Sequence, residues 1–166
     1  ATGAVTYVIL NQWAQDEVST RARLMMQAAL AMRGYTIDEV GPLLKPHMTT
    51  EFLPQTVPAY AASQAFTKRR EEYADYTYKE ATINPTNPRD RATDWETDVV
   101  RRFSDHPDER EIIGVRDTPN GPSLYLARPI RITKEACLTC HSQPSAAPAT
   151  MLAKYGDQNG FGWQPN

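Results

Sequence analysis

Apolar residues recur three and four apart early in the chain, at Val18, Ala22, Met25, Met26, Ala29 and Met32. That spacing forms one helical face and predicts a helix from an Asn11 cap to about Arg33, closed by Gly34 in the left-handed conformation. Residues 1–10 fit a strand or a helix equally well. Thr36-Ile37-Asp38-Glu39 has the form of a capping box, opening a short helix limited by Pro42 and Pro46. Residues 45–54 read as a loop. Pro58 suits the first turn of a helix to about Tyr73, with Ala62, Phe66 and Tyr73 inward and residues 68–72 solvated. The period then changes. Residues 75–83 are aromatic and β-branched, as in a strand, and two prolines turn the chain at 84–88. Thr93 and Glu96 form a second capping box, opening a helix with Trp95, Val99 and Phe103 on one side. Residues 109–117 and 123–132 read as strands joined by a hairpin at Pro119-Asn120-Gly121. Thr133 is suited to cap a short helix, and Ala147 to Lys154 form a last one, closed by Gly156. The result is an α+β pattern with an antiparallel sheet.

Composition narrows the class. The chain has 166 residues, 40% of them hydrophobic, enough for one domain with a core. We read residues 1–166 as a single domain, with an N-terminal helical segment at 1–35 and a core at 36–166. A net charge of -2 excludes electrostatic attraction to nucleic acid. No run is apolar for long enough to span a bilayer, and Ala1 to Leu10 lacks the basic flank of a signal peptide.

The chemistry concentrates at Cys137-Leu138-Thr139-Cys140-His141. This is C-x-x-C-H, the attachment motif of a c-type haem. Two thiols at that spacing reach the two vinyl groups on one edge of a porphyrin, and the adjacent imidazole can bind the iron as proximal ligand. These are the only two cysteines in the chain. A zinc site needs four ligands, and no second pair is present: His47 and His106 are isolated. A thioredoxin-type C-x-x-C belongs near the start of a βαβ unit, not near the end of a chain. Covalent haem attachment takes place outside the cytoplasm, so the expected location is periplasmic and the sequence reads as a mature or excised form. Three methionines on the first helix are iron-ligand types, but helical spacing is what core looks like.

Four stretches carry a resemblance: Pro54 to Ala62 (PQTVPAYAA), Ile83 to Glu96 (INPTNPRDRATDWE), Gly121 to Ile130 (GPSLYLARPI), and Cys137 through Trp163 (CLTCHSQP…YGDQNGFGW). Over residues 20–163 the chain resembles the Tll0287-like haem domain. That family includes free periplasmic cytochromes and the extracytoplasmic sensors of chemotaxis receptors and histidine kinases. The resemblance implies a PAS-like fold with a five-stranded antiparallel sheet flanked by helices, a long N-terminal helix and one covalent haem c. It also implies dimers formed by segment exchange in some members. Family members continue past Gly-Phe-Gly-Trp with an apolar strand and often a membrane helix. This chain stops at Asn166, so the last strand is expected to be missing or cut away.

In the family, distal iron ligands come from the region ahead of Pro-Gln-Thr-Val, where methionine, cysteine and water occur. Both cysteines here are assigned to haem attachment, which leaves His47 and Met48. His47 ranks first, as an imidazole on a proline-stiffened loop, with Met48 the alternative. A solvated loop histidine is the plain reading against it. His106, in a polar turn, reads as solvated. Arg128 and Arg131 suit haem propionates or ordinary surface charge. Tyr125, Trp95, Tyr76, Tyr78, Phe161 and Trp163 suit a haem pocket or generic core.

The expected function is therefore a periplasmic monohaem cytochrome acting as a redox- or gas-responsive sensor, with a simple electron-transfer cytochrome as the alternative. No enzymatic activity is expected, because no distal acid–base pair is evident. Expected partners are a redox protein or a small gas ligand, a second copy in a homodimer, and a membrane-anchored signalling domain in a longer gene product.

Overall fold

The structure is a computed structural model that describes residues 2–70 and 74–165. One long helix, α1, runs from Thr2 to Tyr35. It starts well before Asn11, which therefore lies in the helix interior and caps nothing. Once the stretch from residue 11 is helical, each added residue gains a hydrogen bond without a new nucleation cost, so extension needs no cap. Nor does Gly34 end the helix. The chain passes into a π-helical turn at Thr36–Val40 and a short helix α2 at Gly41–Leu44. Fully buried Thr36 sustains the passage: its hydroxyl donates to Met32 O at 2.8 Å. No capping box forms at Thr36–Glu39.

Lys45–Thr49 and Pro54–Thr56 are 3₁₀ turns, followed by α3 at Pro58–Arg69 with proline in its first turn. Tyr73 lies outside the described residues. The core lies between α1 and α3. Ala29, Ala62 and Phe66 are buried together, with Met25 and Tyr78 packed against them. The two alanines let the helix backbones come close, and Phe66 fills the space beside them. Val18 and Met32, at the edges of the expected face, remain partly exposed, and residues 3–18 of α1 are exposed on every side.

Residues 75–83 are not a strand. Their ladder is a single parallel bridge, Thr82 to Arg91, held by Thr82 N–H to Asp90 O and Ala92 N–H to Thr82 O, each 2.9 Å. The period of two is real, since Tyr76, Tyr78 and Glu80 all turn inward. Side chains rather than a ladder fix the segment: Tyr78 stacks on Phe66 at 4.7 Å, and Glu80 pairs with Arg33 of α1.

Helix α4 (Asp94–Asp105) opens on the expected capping box. Glu96 accepts from the Thr93 backbone at 2.8 Å and from the Thr93 hydroxyl at 2.9 Å. A hairpin follows, β1 (Ile112–Thr118) and β2 (Gly121–Ala127), with Ile112 opposite Ala127 and Gly114 opposite Tyr125. Gly121, at φ +102, supplies the turn conformation. β2 stops short of the expected Ile132, because Pro129 has no N–H to donate. Among the described residues the sheet has two strands, not five. Glu111, just ahead of β1, takes Arg23 of α1 at 2.9 Å and Arg128 at 2.7 and 2.8 Å, which docks the hairpin on the long helix. Helix α5 (Glu135–His141) starts after Lys134 rather than from a Thr133 cap. Helix α6 (Ala149–Tyr155) ends at Gly156, φ +76. The architecture is α+β, with a long N-terminal helix and a two-stranded antiparallel sheet.

Candidate functional site

Helix α5 carries Cys137, Cys140 and His141. Their spacing of i, i+3 and i+4 puts all three on one helix face. Both cysteines are free thiols and half-buried. Burial pushes the Cys140 thiol up from its ordinary value, and Cys137 beside it adds to the effect.

His141, at the end of α5, is held by the C-terminal tail. Its Nδ1 lies 2.8 Å from Gly160 O. A carbonyl only accepts, so Nδ1 carries the proton, and in the neutral ring Nε2 keeps its lone pair. Burial lowers the pKa of His141, while the Gly160 bond works against that; the net direction is down, toward neutral imidazole. Trp163 covers one face of the ring, 4.0 Å between centroids and 10° from parallel. Two backbone bonds fasten the tail to the end of α5: Trp163 N–H to His141 O at 3.1 Å and Gly162 N–H to Ser142 O at 2.9 Å. Gly160 and Gly162, at φ +84 and +81, give the tail the bends this path requires. Among the described residues no three His, Cys, Asp or Glu side chains gather into a metal-binding group.

His47 is exposed on the 3₁₀ turn Lys45–Thr49, and Met48 beside it is half-buried. Met48 Sδ accepts from Leu53 N–H at 3.4 Å and Thr56 Oγ1 at 3.6 Å, while its carbonyl accepts from Thr150 of α6 at 2.6 Å. Trp95 of α4 and Tyr125 of β2 meet at 5.2 Å, with the Arg116 guanidinium 4.5 Å above Trp95, and line a cleft of about 310 Å³. Arg128 and Arg131 line a second cleft of about 510 Å³ with Arg110 and Leu30. Arg128 is engaged by Glu111, and Arg131 donates to Pro107 O. His106 is exposed at the end of α4, with its ring nitrogen 3.2 Å from Arg102 O.

The model of the Tll0287-like family matches residues 11–166. The chain belongs to the Tll0287-like family. Its fold is also that of a solved structure described as the cyanobacterial heme-protein Tll0287, with a TM-score of 0.67 and 14% sequence identity. The match covers 90% of this chain and 88% of that one. No curated protein sequence matches the chain.

In this Tll0287-like chain the motifs named from sequence acquire distinct places. The Gly-Phe-Gly-Trp tail holds the imidazole of the C-x-x-C-H helix. The Asn-Pro-Thr-Asn-Pro turn backs the tail: a Cβ placed at Gly160 would overlap Thr86 Oγ1 and lie 2.9 Å from Thr86 Cβ and N. Sequence reasoning missed both Gly160 and Thr86. The signal available was a glycine-rich run shortly after a ligand motif, which marks close backbone approach. It does not say what approaches.

Proposed function

We propose that this Tll0287-like domain carries one haem c, bound covalently at Cys137 and Cys140 with His141 as proximal iron ligand, and serves as a periplasmic redox- or gas-responsive sensor of PAS-like type. The observation that carries the proposal is the hydrogen bond from His141 Nδ1 to Gly160 O, 2.8 Å long, on a helix that also presents two free thiols. It leaves Nε2 as the donor atom, the usual arrangement of a metal-bound histidine whose second nitrogen is held by a backbone carbonyl. Two thiols and one imidazole on one helix face fit the two vinyl groups and the iron of a haem. The solved relative's description as a heme-protein agrees with this. When bound, the haem supplies a one-electron couple and one further iron position. The rest falls to the chain: α5 fixes the attachment points, and Gly160 and Trp163 hold the imidazole. His47 or Met48, on the turn at 45–49, is the distal ligand, and His47 ranks first. Arg128, Arg131, Tyr125 and Trp95 are the pocket candidates from outside α5.

One observation favours a second reading, a simple electron carrier. His141 is held by a hydrogen bond and by a stacked ring, so the proximal side is built to stay still. We assign no catalytic role.

The test is expression with a haem-attachment system, followed by denaturing gel and visible spectra. Haem that stays with the denatured chain and is lost in Cys137→Ala/Cys140→Ala supports the proposal; a colourless wild-type protein overturns it. Ferric and ferrous spectra with and without carbon monoxide then locate the distal ligand. A low-spin wild type that becomes high-spin in His47→Ala assigns His47. A wild type that binds carbon monoxide readily, unchanged by His47→Ala, excludes it and points to gas binding at an open iron.

A further inference from the structure

We infer that Thr86 is a positioning residue for the axial histidine: it wedges the backbone at Gly160 so that the Gly160 carbonyl stays on His141 Nδ1. The inference rests on His141 being the proximal ligand, as proposed above.

Thr86 lies 55 positions before His141 in sequence, yet it packs against the segment that holds it. Gly160 is buried, at φ +84. The space a side chain would take there is filled by Thr86, as the overlap with Oγ1 and the approaches to Cβ and N show. Glycine is thus required twice over, by conformation and by contact. The Thr86 hydroxyl is buried and has no hydrogen-bond partner among the described residues. No hydrogen bond to a described residue accounts for threonine here. The branched shape of its side chain does.

The wedge stands on a stiff support. Thr86 lies between Pro85, which is buried, and Asn87-Pro88. Asn87 Oδ1 accepts from Arg89 N–H at 3.1 Å, and its carbonyl accepts from Asp90 N–H at 3.0 Å. The Thr82–Arg91 bridge closes the turn from behind. On the other side, the backbone bonds from Gly162 and Trp163 to α5 keep the tail from sliding. The Gly160 carbonyl is thus fixed between two anchors, and the imidazole answers to it. A strong bond at Nδ1 makes the ligating nitrogen more basic, which favours ferric over ferrous iron.

The experiment compares haem-loaded wild type with Thr86→Val, Thr86→Gly and Gly160→Ala. The readouts are the midpoint potential by spectroelectrochemical titration and the Nδ1–H proton resonance of His141 in the ferrous protein. Thr86→Val keeps the shape and is expected to keep the wild-type potential. Thr86→Gly removes the wedge and Gly160→Ala displaces the carbonyl. Each should shift the equilibrium toward ferrous iron by about threefold to tenfold, tenfold being about 59 mV for one electron. The Nδ1–H resonance should move or broaden in the same two variants. Should Gly160→Ala fail to fold, Thr86→Gly alone carries the comparison. Haem-loaded Thr86→Gly with the wild-type potential and resonance overturns the inference. So does a Thr86→Val shift as large as that of Thr86→Gly, which would move the effect to the hydroxyl. In both cases the haem assignment survives. A wild-type chain without covalent haem is the separate result that removes the parent reading.

Discussion

Glu80 shows how one residue organises its surroundings. It pairs with Arg33 of α1 and accepts from the Tyr78 hydroxyl at 2.8 Å, beside the Phe66 ring. Burial and then the Glu80 charge push the Tyr78 pKa above the ordinary tyrosine range, so Tyr78 donates throughout the physiological range. The Arg33 and Glu80 side chains keep 15% and 9% of their exposure, so loss of one charge leaves the other poorly hydrated. Glu80→Gln is expected to destabilise the protein by about 3 kcal/mol in urea unfolding, mostly through the stranded Arg33. Phe66→Ala, a cavity in the α1–α3 core, should cost about 3–5 kcal/mol by the same measurement. At this scale the sequence was uneven in what it disclosed. That Cys137, Cys140 and His141 share one helix face could be read at once, because their spacing alone sets it. Gly160 could not, because its importance comes from a carbonyl brought to His141 by a tail that only the fold places. Arg128 read as a charge near the motif, for propionates or for the surface, but its Glu111 partner was not readable.

Elements were most legible where their signals are local. The Thr93–Glu96 box names its own helix, since both bonds lie within four residues. Thr93→Ala should lower stability by about 1 kcal/mol in chemical denaturation. Glu96 also accepts from Lys79 at 2.6 Å, so the box fastens the 75–83 segment to α4. Burial acts to raise the Glu96 pKa, but the bonds from Lys79 and Thr93 outweigh it, and the net shift is downward. The sign follows. A carboxylate with a depressed folded-state pKa gives stability that is full above its unfolded value, near 4.3, and lost as pH falls through the folded value. Acid unfolding of wild type should therefore steepen below about pH 4, and Glu96→Gln should flatten that limb. A Glu96→Gln variant with an unchanged acid limb would show that the bonds to Lys79 and Thr93 leave the carboxyl untuned. Elements that depend on distant partners were less legible. Residues 75–83 alternate as a strand should, but their inward side chains found helices instead of a neighbouring strand.

Across the whole molecule, the turn at 45–49, proposed to hold the distal ligand, packs against the helix that follows the C-x-x-C-H segment, which no local pattern disclosed. The turn at 45–49 is tied to α6 by the Thr150 hydroxyl on Met48 O, and Phe52 packs edge-on against Tyr155 at 5.5 Å. Lys154 lies 5.7 Å above the Phe52 ring. Helix α6 follows α5 after a single 3₁₀ turn at Pro144–Ala146. On the other side the same turn continues α2 and the π-helical turn, and so leads back to α1. Under the ligation proposed above, a change of ligand at His47 or Met48 would pull on α6 at one end and on the long helix at the other. The sensor and carrier readings diverge here. A sensor needs two states that the loop distinguishes, whereas a carrier keeps one. Hydrogen exchange on ferric and ferrous protein should show changed protection at the amides of residues 47–57 and 150–156 if the domain senses redox state. Equal protection in both states would favour the carrier. Thr150→Val removes the hydroxyl that ties the loop to α6 and should raise exchange at 47–57 in both states. It should also blunt the redox-dependent difference at α6, because a loop no longer fastened to that helix cannot move it.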